Sequence, residues 1–146
     1  IPQTYTDLYL VTAAQIGTNS SADYMNVRMN ASTSNTAGSY MLANGNAGTV
    51  GANNFGIFLY AGSINTVGFG NGNWLYLANY TRTDYYKTGI TNYLYKKNDN
   101  STGQYVGFST NTWESNAAIT SITLNTNGTT PFEAGSKFYL YGIKNS

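Results

Sequence analysis

The sequence predicts an all-β fold, and three observations carry that expectation. Tyr and Thr, which suit a pleated and half-buried surface, are abundant, with 14 Tyr and 20 Thr among 146 residues. Asn and Gly, which suit tight turns, recur at short intervals, with 20 Asn and 16 Gly. Apolar residues alternate with a period of two, and no segment longer than ten residues holds a helical period without Gly or β-branched interruption. A polar composition can also mean disorder, but disorder comes with few aromatics and high net charge. Here aromatics are 15% and the net charge is +1. The expected architecture is one ordered antiparallel sandwich or barrel of about eight or nine strands.

The elements follow in chain order. Residues 4–11 place Leu8 and Leu10 on one face and Asp7, Tyr9 and Val11 on the other. In residues 24–29, Met25, Val27 and Met29 alternate with Tyr24, Asn26 and Arg28. The polar stretch 30–54 is broken by Tyr40-Met41-Leu42 and reads as loops around one short strand. Further strands are expected at 55–61, at 74–80, at 85–95 with an interruption near Gly89, at 105–109, at 118–124 and at 137–143. No internal repeat and no linker divides residues 1–146, so a single domain is expected.

Composition also excludes function classes. His and Cys are absent, which removes disulfides, thiolate nucleophiles, Ser-His triads and the usual zinc and haem ligands. Seven basic residues balanced by six acidic ones lack the dense cationic footprint of a nucleic-acid binder. No apolar run approaches the roughly 18 residues that cross a bilayer. Neither a nucleic-acid nor a membrane partner is expected, nor a cofactor. The opening Ile1-Pro2-Gln3-Thr4 has no basic or apolar signal-peptide region and no Met, so the natural chain is expected to be cleaved or to extend upstream.

The remaining candidates for chemistry are weak. Asn98 to Gly103 superficially resembles a calcium loop, but the first position is Asn and the twelfth is Ser109, so a turn joining residues 94–96 to 104–106 is the better expectation. Gly68-Phe69-Gly70-Asn71-Gly72 lacks the third Gly spacing, the helix and the Lys of a phosphate cradle, and reads as a tight turn. The carboxylates Asp7, Asp23, Asp84, Asp99, Glu114 and Glu133 could in principle supply a glycosidase pair, which needs only two of them about 5 to 9 Å apart. Most sit in expected turns or at strand edges, where capping is the ordinary role, so no catalytic residue is assigned.

The aromatic excess supports a binding surface. Aromatic faces stack on pyranose rings, and amides and carboxylates bond the hydroxyls, without any catalytic group. Trp74, Tyr85, Tyr86, Tyr93, Tyr95 and Trp113 are candidates for such a glycan platform, and Tyr139 and Tyr141 join them as subunit-interface candidates. Core packing competes for every one of them, and Trp113 is expected to cover one end of the core. The last strand carries Phe138 and Leu140 on one face and Tyr139, Tyr141 and Ile143 on the other, as in a strand mid-sandwich or under a neighbouring subunit. Gly142 would let another backbone approach, and Gly135-Ser136 fits the turn that feeds the strand.

The C-terminal third carries a resemblance. Trp113-Glu114-Ser115, then Ala118-Ile119-Thr120-Ser121-Ile122, then Phe132-Glu133-Ala134-Gly135-Ser136 with Leu140-Tyr141-Gly142-Ile143, resembles the end of a family of small tailed-bacteriophage virion proteins. Tyr5-Thr6-Asp7-Leu8, and Asn30 followed at a distance by Gly38-Ser39-Tyr40, are similar to earlier parts of that family. Ala31-Ser32-Thr33 stand where the family usually carries an acidic residue. The resemblance implies a jelly-roll-like β-sandwich at the virion surface, a capsid decoration (cement) or fibre-type protein without enzymatic activity. The implied partners are the major capsid protein and other copies of the chain, as a homotrimer. A lectin-like module binding host glycans is the alternative.

Overall fold

The alternation in residues 7–13 becomes the strand that organises the sheet. In the computed structural model, which describes residues 1–16, 23–33, 36–43, 48–53, 57–63, 72–96, 104–126 and 130–145, that strand is β1 (Asp7–Ala13). It is followed by β2 (Gln15–Ile16), β3 (Asp23–Met29), β4 (Thr36–Ala43), β5 (Gly48–Asn53) and β6 (Ile57–Ser63). The chain continues through β7 (Gly72–Leu77), β8 (Lys87–Lys96), β9 (Gln104–Trp113), β10 (Ile122–Thr126) and β11 (Lys137–Ile143). No helix occurs among the described residues.

Two sheets form a β-sandwich. The larger is antiparallel with seven strands in the order β11-β1-β7-β8-β9-β4-β5, and the smaller has four in the order β10-β3-β6-β2. β2 and β6 are parallel over a two-residue pairing, Gln15 with Gly62 and Ile16 with Ser63. Strands distant in sequence lie side by side, as in a jelly roll, but the distribution is seven against four and β7, β8 and β9 form a simple meander.

The core lies between the layers. Leu8 and Leu10 of β1, Leu75 and Leu77 of β7 and Trp113 of β9 meet Ile16 of β2 and Met25, Val27 and Met29 of β3. Tyr80 and Ile119 enter from connecting segments, and Phe132, Ile122 and Leu124 close the margins. Each buried Leu or Met side chain contributes about 1.5–3 kcal/mol. The inward residues of β1 and β3 are the ones the alternation selects.

Several elements differ from the sequence expectation. Residues 36–53, expected to be mostly loop, hold the hairpin β4–β5, with Gly38 opposite Asn53 and Ala43 opposite Gly48. Its Gly, Ser and Ala residues have low strand propensity, and the ladder to β9 supplies the order. Gly89 does not interrupt β8; a Cβ there would approach Leu75 and Leu77 to 2.9 Å, so glycine lets β8 close on β7. β9 extends to Trp113, beyond the expected end at 109. The chain is not strand at 118–121. Asn30, at φ 50°, clamps that segment instead. Its Oδ1 accepts from the Thr120 and Ser121 amides at 2.8 and 3.1 Å, and its Nδ2 donates to the Ala118 carbonyl at 2.8 Å. Tyr80 ends in a turn rather than a strand, buried, with its hydroxyl donating to the Pro2 carbonyl.

β11 overturns one of the two positions expected for it, the mid-sandwich one. It is not mid-sandwich but at the edge of the large sheet, paired with β1 from Asp7 opposite Ile143 to Ala13 opposite Lys137. All seven of its residues are exposed. Gly142 meets a ring rather than a backbone, since a Cβ there would collide with Tyr5. The Gly135 turn does feed the strand: Gly135 has φ +94°, and the Ser136 amide donates to the Glu133 carbonyl at 3.2 Å.

Candidate functional site

The alternation that fills the core also builds the opposite face of the large sheet. Register carries one row across six strands: Tyr141 on β11, Tyr9 on β1, Tyr76 on β7, Ile90 on β8, Thr110 on β9 and Ser39 on β4. The adjacent row is Tyr139, Val11, Trp74, Asn92, Phe108 and Met41. Leu94 and Val106 extend the face toward the β8–β9 turn. Neither row contains a charged residue. Met41 is 58% exposed, Tyr141 52%, Ile90 48% and Phe108 47%. Tyr9 and Trp74 lie against each other, with ring centroids 5.8 Å apart.

One end of this face is pinned by a buried carboxylate. Asp7 is 3% exposed and accepts from the Tyr76 hydroxyl at 2.7 Å, the Asn79 amide at 2.8 Å and the Asn145 side-chain amide at 3.2 Å. Burial pushes the Asp7 carboxyl up, but those three donors together outweigh it and hold it below the ordinary value. The bond to Asp7 in turn raises the Tyr76 phenol, with burial adding to the effect. Asp7 thereby ties β7, the turn after it and the C-terminal segment to β1. It is a structural anchor rather than the solvated turn residue expected of most carboxylates.

The sequence candidates separate by face. Trp74, Tyr139 and Tyr141 come together on the outer face. Tyr85 and Tyr86 are exposed on the 78–86 turn, where the Arg82 guanidinium sits 5.2 Å from the Tyr85 ring centroid and pairs with Asp84. Tyr93 and Trp113 belong to no exposed platform: both point inward and are buried. Tyr93 lies over Gly107, where a Cβ would enter its ring, and its hydroxyl donates to the Met41 carbonyl at 3.5 Å. Tyr95 pairs with Tyr105 in the β8–β9 ladder, and its side chain lies outside the described residues. Asn98 to Gly103 and Gly68 to Asn71 also lie outside them, although Lys96 opposite Gln104 does form the expected hairpin. Tyr9, Tyr76, Ile90 and Phe108 were not among the sequence candidates. The available signal was their period-two spacing with Trp74, Tyr139 and Tyr141 once strand order is known.

The inner face beyond the core is polar and internally bonded. Thr91 and Ser109 share a hydroxyl–hydroxyl bond, and Asn111 Nδ2 donates to Ser109 Oγ at 2.9 Å. Lys87 is fully buried, its ammonium donating to the carbonyls of Tyr85 at 3.0 Å, Asn116 at 3.3 Å and Ser115 at 3.5 Å. Burial pushes the Lys87 pKa down, partly offset by the charge of Asp84. This lysine joins the 78–86 turn to the segment after β9. Among the described residues no three acidic side chains cluster as a metal site would require, and no helix is long and apolar enough to cross a membrane. No family model, curated protein or solved structure matches this chain.

Proposed function

We propose that this chain is a non-enzymatic structural protein at the surface of a tailed-bacteriophage particle, a capsid decoration (cement) or fibre-type protein that works by docking. The phage assignment rests on the C-terminal sequence resemblance. Support for docking comes from the outer face of the large sheet, two uncharged rows running across six strands. Uncharged surface with several exposed aromatic and aliphatic side chains marks interaction sites. The described carboxylates with resolved partners are engaged structurally, Asp7 with three donors and Asp84 with Arg82. The partners proposed are other virion proteins, such as the major capsid protein. Mass spectrometry of purified particles tests the proposal: the chain is expected at a fixed copy number per particle, and its absence from washed particles overturns the assignment.

A second reading, host-glycan binding, is favoured by one feature. Tyr141, Tyr9 and Tyr76 stand in register on three adjacent strands, a spacing of about 4.8 Å per step. Such a strip could stack sugar rings with Asn145 at its end. Binding of a neutral oligosaccharide that Tyr141→Ala abolishes, in a protein that does not enter particles, would favour this reading.

A further inference from the structure

The structure assigns the outer face of the large sheet a partner: a second copy of this chain, packed sheet against sheet. This inference rests on the docking reading above and names the surface and the occupant.

Chemistry first separates a protein partner from a sugar. Interface cores are depleted of charged residues and enriched in aromatic residues and Met. The face carries Trp74, Phe108 and Met41 with Ile90, Leu94 and Val106, and its described centre has no charge. Aliphatic side chains offer nothing to sugar hydroxyls, so Ile90, Leu94, Val106 and Met41, exposed beside Asn92, Thr110 and Ser39, suit protein.

Shape and charge then select the occupant. A broad sheet face is best complemented by another sheet face, stacked about 10 Å away with strands aligned to within about 30°. A second copy presents such a face with an equally uncharged centre, so no desolvated charge is left unpaired. A charged partner surface would lose its hydration against these rows with nothing returned. The area is adequate. Six strands at about 4.8 Å span about 24 Å, and three or four outward residues per strand span about 20 Å, or about 500 Å² in projection. A standard interface buries about 800 Å² of accessible surface per partner, and rough side-chain surface exceeds its projection. The exposed edge strand β11 continues the face through Tyr139 and Tyr141.

Light scattering and sedimentation of the full chain test this. The wild type is expected to be an assembly of two or more copies at micromolar concentration. Phe108→Glu and, separately, Ile90→Lys place one charge at the centre of the face on side chains already about half exposed. Each is expected to weaken assembly about 100-fold or more while circular dichroism and the melting transition stay native-like. Tyr86→Lys, on the 78–86 turn, is expected to leave assembly unchanged. A wild type that stays monomeric at about 100 μM overturns the proposal. So does undiminished assembly of both folded face variants. A monomer that is nevertheless found in particles refutes self-docking and leaves the virion reading standing. An assembling chain absent from particles does the reverse.

Discussion

Replacing Asp7 with Asn removes one charge from a site that three elements share. The carboxylate receives the Tyr76 hydroxyl at 2.7 Å, the Asn79 amide at 2.8 Å and the Asn145 amide at 3.2 Å. A hydrogen bond to a charged group contributes about 1.5–3 kcal/mol net, and a buried donor left unsatisfied costs about 1–3 kcal/mol. Asn retains one acceptor oxygen for the two short bonds and turns an NH2 group toward the other donor. The expected loss for Asp7→Asn is therefore about 2–3 kcal/mol, a large part of the roughly 5–15 kcal/mol available to a domain. The pH dependence gives an independent check. The donors hold the folded Asp7 pKa below the ordinary aspartate value of 3.8, so between the folded value and 3.8 the unfolded chain binds more protons. The stabilisation is thus complete above about pH 5 and is lost as pH falls through the folded pKa. Urea unfolding of wild type and Asp7→Asn, followed by tryptophan fluorescence, should show a gap near neutral pH that narrows as pH falls through the folded Asp7 pKa. Equal stability at pH 7, or a gap that stays constant in acid, refutes this account of the carboxylate.

Trp113→Ala is expected to cost about 3–5 kcal/mol in chemical denaturation, because the indole is 4% exposed and belongs to the core cluster. Gly107→Ala is expected to destabilise by about 1–3 kcal/mol, since the new methyl enters the Tyr93 ring on the inner face; an unchanged melting temperature would show that the ring moves freely. With no His in the chain, stability should be nearly flat between pH 5 and 8, as read by thermal melts across that window. EDTA should not shift the melting temperature, and a shift of several degrees would point to a bound metal ion.

Strand identity was legible wherever burial on one face forced a strict alternation. Leu8 and Leu10 against Tyr9 and Val11, and Met25, Val27 and Met29 against their neighbours, announce strands and name their inward residues, because a period of two divides a strand between two faces. All-β character followed from Tyr, Thr, Asn and Gly for the same local reason. Only Tyr40-Met41-Leu42 of the β4–β5 hairpin was legible as strand, because Gly38, Ser39 and Gly51 have little intrinsic strand preference and their order comes from the ladder onto β9. Among the aromatics only the core position of Trp113 was legible; the faces taken by the others were not. Trp74 and Tyr76 face outward while Tyr93 faces inward, yet all three sit in segments that carry apolar side chains at both parities. Periodicity separates the two sets without saying which one meets the other sheet. That choice, like the placement of β11 at an edge and the alignment of Tyr141, Tyr9 and Tyr76 across three strands, depends on pairings between residues far apart in the chain. The sequence determined strands and turns through local sterics and propensity. Tertiary structure decided the outer face, because only strand order brings its residues side by side.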